Sequence, residues 1–290
     1  MNEYTLLMHI ISGCDEALKD AFIRRMEASK RLAQAKLDSG SPIYDPSTAV
    51  PRIEQIASEF SPELGPKADS LWSALHRMSR NVQYRYMLQA LPEYKMAHEE
   101  DLVEVPEADT VWCADGTEAL VGEVLGIPAR ACGTEEAVME ALVSGQAQAA
   151  ALVIPSMYHI EQLYSQLYDK PVYINQIVRT ADKRCVALLS KKLVHFHEDS
   201  IVALAISTPA RHGSLSQNLL IFAEALITIE HMRIRRNNGE GELLDNMTFI
   251  DIRADLLAPE TRSCLLQLSQ EMPYFRVLGC RPAIHDCHKQ

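Results

Sequence analysis

The chain has 290 residues, 47% hydrophobic and 23% charged, with 28 Lys and Arg against 39 Asp and Glu for a formal net charge of -11. That length predicts two or three compact units, and the composition argues against long disordered tracts. The negative charge, with no Lys/Arg-rich block, excludes a nucleic-acid binder, and no apolar run reaches the roughly 18 residues of a membrane span.

In chain order, Tyr4, Leu7, Ile11, Cys14, Leu18, Ala21, Arg25, Ala28, Leu32 and Ala35 keep a four-three spacing that predicts a long packed helix, broken only by the charge of Arg25. Ser39-Gly40-Ser41-Pro42 ends it. A short helix is expected over about 51–60 and a third from about Glu63 into the nineties, its seam formed by Ala68, Leu71, Leu75, Met78 and Val82. An acidic stretch, Glu99 to Asp109, reads as a linker. Beyond it the period changes: short strands near 111–113, 129–131, 147–154, 172–178 and 185–189 alternate with helices near 117–125, 134–143 and 157–167, which predicts a parallel-type α/β unit. His195-Phe196-His197 reads as a loop. From residue 200 the order strand, helix, strand, strand, helix, strand predicts a ferredoxin-like βαββαβ unit. The fold class is therefore multidomain, α and α+β, with boundaries at 1–98, 108–195 and 198–283.

The opening Met1-Asn2-Glu3-Tyr4 has no basic leader region, and seven cysteines without a CxxC pair read as buried thiols of a reducing compartment. A cytoplasmic protein without disulfides is expected. The tail residues Cys280, His285, Cys287 and His288 match no zinc spacing, so neither metal nor cofactor is expected.

A guanidinium within an apolar seam is costly unless an anion meets it. Lys36 lies eleven residues beyond Arg25, about 20° around the helix and three turns on, so both cations share one stripe. Ser79 and Gln83, one turn apart on the third helix, can offer a hydroxyl and an amide to the same space, and Asp45 could orient a cation. The alternative is that Arg25 pairs with an internal carboxylate such as Asp15 or Glu54, and that Ser79 and Gln83 are surface polar groups. In the last segment, Arg211-His212-Gly213-Ser214-Leu215 feeds a helix N-terminus suited to a carboxylate.

The runs Ile11-Ser12-Gly13-Cys14-Asp15-Glu16, Arg24-Arg25, Ala33-Gln34-Ala35-Lys36, Pro42-Ile43-Tyr44-Asp45 and Met78-Ser79-Arg80-Asn81-Val82-Gln83 resemble the all-helical chorismate mutase domain. Gly213-Ser214-Leu215, Met247-Thr248-Phe249-Ile250-Asp251-Ile252 and Arg276-Val277-Leu278-Gly279-Cys280-Arg281-Pro282 resemble the ACT domain that ends prephenate dehydratases. The order is similar to the bifunctional chorismate mutase/prephenate dehydratase family. The resemblance implies conversion of chorismate to prephenate, with Arg25 binding a carboxylate, Lys36 and Gln83 the ether oxygen, and Asp45 and Ser79 orienting the hydroxyl or carboxylate. Met8 and Thr48 stand where the family has arginines, and Ala49 where it has a glutamate.

The middle segment departs further. Lys183-Arg184-Cys185 replaces the family's Thr-Arg-Phe triplet and one lobe is missing, which implies that prephenate dehydration is lost. In the ACT segment the resemblance implies an amino-acid effector, phenylalanine among the options, held by His212, Gly213, Ser214, Leu215 and Glu230, although Met232 replaces the motif's arginine. It also implies a homodimer. The alternatives are a catalytically inactive regulator that binds an aromatic amino acid or prephenate-like acid, and a dimeric scaffold.

Overall fold

The computed structural model describes residues 2–90, 102–103, 108–196, 200–208, 214–235 and 247–283. The chain forms two compact units, Met1–Tyr94 and Lys95–Gln290.

The first unit is helical, with α1 (Glu3–Ser39), α2 (Pro46–Ser58) and α3 (Gly65–Ala90). Asn2 starts α1 by accepting from the Thr5 N–H at 2.8 Å. Gly40, at φ 66°, ends it: its N–H reaches Leu37 O, and the Ser41 N–H reaches Lys36 O. This paired closure needs a left-handed residue, which glycine adopts without steric cost. The second helix, expected from residue 51, begins instead at Pro46 because Asp45 caps it, accepting from the Ser47 N–H at 2.9 Å and the Ser47 hydroxyl at 2.6 Å. Pro51 therefore lies inside the helix and removes one backbone bond. The buried apolar set is thin: Ala33, Ile43, Ile53, Ala68 and Tyr84. The stripe that packs α1 on α3 continues toward the N-terminus without cover, leaving Tyr4, Leu7, Met8, Ile11 and Leu18 48–71% exposed.

The second unit contains β1 (Leu102–Val103), β2 (Val111–Cys113), α4 (Glu118–Leu125), β3 (Ala129–Ala131), α5 (Glu135–Ser144) and β4 (Ala149–Ile154). A 3₁₀ turn, Met157–His159, leads into α6 (Ile160–Leu167), then β5 (Tyr173–Arg179), β6 (Cys185–Ser190) and β7 (Leu193–Val194). The chain continues through β8 (Ser200–Ser207), α7 (Ser214–Glu224), β9 (Thr228–Ile234), β10 (Met247–Arg253), α8 (Pro259–Glu271) and β11 (Tyr274–Pro282). Among the described residues the main sheet has nine strands in the order β3-β2-β4-β6-β5-β11-β8-β10-β9.

The expected parallel sheet is mixed. β3, β2 and β4 are parallel, whereas β6 runs antiparallel to both β4 and β5. A tight turn at Thr180 to Arg184 makes β5 and β6 a hairpin, which forces that direction. The last four strands keep the β11-β8-β10-β9 order and the βαββαβ connection. The segment expected as a linker instead contributes β1, paired in parallel with β7. His195 lies in a loop, as expected, but is buried there, its N–H donating to Val103 O and its Nε2 3.0 Å from Asp255. Among the described residues all cysteines are free, but Cys14 is exposed and Cys132 half-buried, against the expectation of buried thiols.

The middle and C-terminal segments share this sheet and a core. Ala203, Ala205, Met247, Phe249 and Leu278 face one side and pack with Val138, Leu142, Ile160, Leu163, Tyr164 and Leu167 of α5 and α6. Val202, Leu204, Ile206, Ile250 and Ile252 face the other and pack with Ile221 and Phe222 of α7 and Cys264, Leu265 and Leu268 of α8. Burial on both faces is why Ile201 to Ile206 is apolar without alternation. The halves meet where β11 pairs in parallel with β5, Gly279 opposite Ile174. Both strands bulge there, at Leu278 and Asn175. The freed Asn175 side chain donates to Ser190 Oγ at 2.6 Å and accepts from the Val194 N–H at 3.3 Å. A β-carbon on Gly279 would lie 2.1 Å from the Ile174 carbonyl oxygen, so only glycine fits this joint.

Candidate functional site

In the helical unit the three helices enclose a cleft of about 550 Å³, within the roughly 300–1,000 Å³ of small-molecule sites. Each helix contributes one face. α1 gives Arg25, Ala28, Ser29, Leu32 and Lys36; α2 and its cap give Asp45, Thr48, Ala49 and Arg52; α3 gives His76, Ser79, Arg80 and Gln83. The α2 and α3 sets both fall at i, i+3, i+4 and i+7, the spacing that puts side chains on one helical face.

Arg25, Lys36, Asp45, Ser79 and Gln83, predicted from sequence, thus line one cavity. The Lys36 ammonium donates to Ile43 O at 2.6 Å, which tucks the loop after α1 against its last turn. Asp45 is held below its usual carboxylate range, first by the Ser47 hydrogen bonds. Gln83 Nε2 donates to Ser79 O at 3.1 Å, leaving its second hydrogen and Oε1 for other partners. Three buried atoms among these residues have no partner: Arg25 Nε, Ser79 Oγ and Gln83 Oε1. Ser79 is 5% exposed and Gln83 3%. An unsatisfied buried polar atom costs about 1–3 kcal/mol, and three of them share this one cavity.

Three residues absent from the sequence-based set also line the cleft: Arg52, His76 and Arg80. Their register offered a signal, since 52 follows Asp45 by seven, and 76 and 80 flank Ser79 by three and one. The Arg80 guanidinium lies 4.5 Å from the centre of the Tyr44 ring, which orients it. Thr48 and Ala49, where the resembled family carries an arginine and a glutamate, are at the cleft but short. Met8 is 48% exposed and about 25 Å along α1 from Arg25.

The cleft is strongly positive within an acidic chain. Four cations, Arg25, Lys36, Arg52 and Arg80, face one carboxylate, Asp45. Burial lowers the pKa of Arg25, with Arg52 adding to the effect. Burial likewise lowers Lys36, and Arg80 lowers it further, while Asp45 opposes. His76 is pushed down to about 4, first by burial and then by Arg25, Arg80 and Arg52, so it is neutral at pH 7.

In the C-terminal segment, Ser214 and Leu215 open α7, while His212 and Gly213 lie outside the described residues. Glu230 is the extra residue of a bulge in edge strand β9 and binds Arg253 at 2.6 Å. In the α/β segment Lys183 has φ 71° in the β5–β6 hairpin, and Arg184 pairs with Asp182 at 2.7 Å. A second cleft of about 470 Å³, lined by residues including Tyr158, Glu161 and Arg235, holds none of the predicted residues. Among the described residues no group of three or more His, Cys, Asp or Glu could hold a metal ion. His285, Cys287 and His288 lie outside them. No described helix is long and apolar enough to cross a membrane.

No family model and no curated protein matches the chain. Solved structures of similar fold include the prephenate dehydratase of Streptococcus mutans, at 16% identity and TM-score 0.49, over 62% of this chain and 100% of that one. Another is the prephenate dehydratase of Arthrobacter aurescens in complex with L-Phe, at 13% identity and TM-score 0.49, over 60% and 90%. A third is the quorum quenching acylase GqqA, at 16% identity and TM-score 0.47, over 61% and 96%. At these identities and TM-scores the likenesses assign neither a family nor a reaction to this chain.

Proposed function

We propose that the helical unit is an isomerase of the chorismate mutase type, converting chorismate to prephenate. The observation that carries this reading is one cavity with four cations against one carboxylate, where Arg25, Ser79 and Gln83 keep buried polar atoms unpartnered. The rearrangement is pericyclic: the ether C–O bond breaks as a C–C bond forms, with no proton transferred and no covalent intermediate. Catalysis then consists of holding the dianion in its compact conformer and stabilising charge that grows on the ether oxygen. Arg25 would bind a carboxylate; Lys36 and the free N–H of Gln83 would donate to the ether oxygen; Ser79 and Asp45 would hold the remaining carboxylate or hydroxyl. The exposed apolar stripe at the start of α1 favours a homodimer, in which a second copy covers it. Cytoplasmic residence, the absence of any cofactor and the loss of prephenate dehydration, the last read from Lys183-Arg184-Cys185 in place of the family's triplet, belong to the same reading.

A second reading is a catalytically inactive sensor of a prephenate-like acid or aromatic amino acid, phenylalanine included, acting through the βαββαβ segment and its ACT resemblance. It is favoured by the Lys36 ammonium bonding to Ile43 O and by the short Thr48 and Ala49 side chains. Loss of chorismate absorbance with the purified full chain separates the two. Turnover is expected, with kcat/KM about 10²-fold lower or worse in Lys36→Ala and Gln83→Ala. Absence of protein-dependent conversion refutes the enzyme, and thermal shifts with phenylalanine, tyrosine and prephenate then test the sensor.

A further inference from the structure

The lining of the helical cleft changes character along α1. The Tyr86 hydroxyl of α3 donates to Gln34 of α1 at 2.8 Å. Because His76 to Gln83 share a cavity with Arg25 to Lys36, α3 runs alongside α1 in the same direction from that contact. His76 therefore lies at the Arg25 end of the cleft, and Gln83, about 10 Å further along α3, lies toward Lys36. The Lys36 end has acceptors: Gln83 Oε1, and Asp45, whose Oδ1 already takes both Ser47 bonds. At the Arg25 end the arginines only donate, Ala49 has no polar side-chain atom, and the Ser29 and Thr48 hydroxyls turn to the backbone oxygens of Arg25 and Asp45. His76 lines this end half-buried, without a hydrogen bond or ion pair to any described residue. A neutral imidazole keeps one unprotonated nitrogen as an acceptor. Burial first, then the neighbouring arginines, push the pKa of His76 down to about 4 and hold it in that form.

Chorismate carries a ring hydroxyl besides its two carboxylates. Cations answer the carboxylates but offer nothing to a hydroxyl hydrogen, and burying that hydrogen unpaired is costly. We infer that His76 is a specificity-determining residue whose unprotonated ring nitrogen accepts the ring hydroxyl of the substrate, across from the short Ala49. The inference deepens the isomerase reading and rests on it for the identity of the ligand. The hydroxyl belongs to none of the bonds that break or form, so the analogue with hydrogen in its place can still rearrange, and discrimination between the two compounds reports recognition alone.

The test compares kcat/KM for chorismate and for that deoxy analogue, with the full chain and its His76→Leu, His76→Asn and His76→Gln variants. The unsubstituted chain is expected to prefer chorismate by about tenfold or more, since a site that bonds a substrate hydroxyl rejects the compound lacking it. His76→Leu, similar in bulk but without an acceptor, should shrink the preference to about twofold or less. His76→Asn or His76→Gln, whose amide oxygens sit near one or other ring nitrogen, should keep about half of it or more. No preference in the unsubstituted chain, a preference that survives His76→Leu, or its loss in all three variants overturns the inference. Where neither compound turns over, calorimetric Kd values for the same pair are read against the same ratios. A preference in binding that depends on His76 then refutes the isomerase and leaves the hydroxyl contact standing, whereas binding of neither compound refutes both.

Discussion

Replacing Gly279 with alanine is a direct probe of how the second unit is joined. The new β-carbon would lie 2.1 Å from the Ile174 carbonyl oxygen and 2.8 Å from its carbonyl carbon and nitrogen, all backbone atoms that no rotamer change can move. Overpacking that side chains can partly absorb costs about 1–3 kcal/mol, so a clash with backbone belongs at the top of that range, about 3 kcal/mol. Against a total stability of roughly 5–15 kcal/mol this is a large fraction. The two tryptophans lie one in each unit, Trp72 on α3 and Trp112 on β2. A Trp72→Phe background therefore reports the second unit alone, which matters because a two-unit chain need not unfold in one step. Urea unfolding followed at Trp112 should lose about 1 M from its midpoint, while Trp72 in a Trp112→Phe background should report an unchanged helical unit. A loss under about 0.5 kcal/mol at Trp112, well below the overpacking range, would refute the claim that this joint demands glycine.

Asp251, fully buried, accepts from the Tyr164 hydroxyl at 2.6 Å and lies 3.5 Å from Arg281, itself 3% exposed. Asp251→Ala strands that guanidinium and should cost about 3–5 kcal/mol, and Tyr164→Phe about 1.5–3 kcal/mol; urea midpoints at Trp112 check both, and near-neutral values would contradict the buried pair. His76, pushed down to about 4 from 6.5, is neutral in both states above pH 6.5; as pH falls toward 4 the unfolded chain takes up the proton first, so stability is lost across that window. Discounted for a half-exposed group, the loss is roughly 1–2 kcal/mol, which His76→Gln should abolish when unfolding is followed at Trp72; parallel pH profiles would contradict it. Leu226, 92% exposed at φ 57°, closes α7 with its N–H on Ala223 O and the Ile227 N–H on Phe222 O, the cap geometry glycine prefers. Leu226→Gly should raise the melting temperature through a net gain of about 0.5–1 kcal/mol, left-handed strain relieved less added chain entropy; a lower melting temperature would contradict this.

The helical unit was legible because its seam is simple and interrupted. Arg25 stood out as a charge among Leu18, Ala21, Ala28 and Leu32, and Lys36 followed on the same stripe. Arg52, His76 and Arg80 were not legible from hydropathy, since a polar residue beside a seam reads as solvent-facing until the opposing helix is in place. The start of α2 was missed because period outweighed the cap signal of Asp45-Pro46. In the second unit the alternation of strands and helices gave element positions, but direction was not encoded there: the Thr180 to Arg184 turn decides whether β6 runs with or against β5. The shared core also escaped the sequence, because the apolar run Ile201 to Ile206 states that both faces are covered without naming the cover as α5 and α6 on one side and α7 and α8 on the other.

Charge marks how the two units differ in purpose. Both hold polar atoms that lack a hydrogen-bond partner, Asp251 Oδ2 and Arg281 Nε in one, Arg25 Nε and Gln83 Oε1 in the other, so orphaned atoms alone do not separate structure from function. The sign of the neighbours does. Around Asp251 the nearest charges are Arg281 at 3.5 Å and Arg233 at 3.7 Å, opposite in sign, so its charge is balanced from within the chain. Around Arg25 and Lys36 the neighbouring charges include Arg52 and Arg80, of the same sign, with Asp45 opposing at Lys36. Like charges brought together at a partly buried cavity weigh against folding, so an anionic guest beside Arg25 and Arg52 would offset part of that cost.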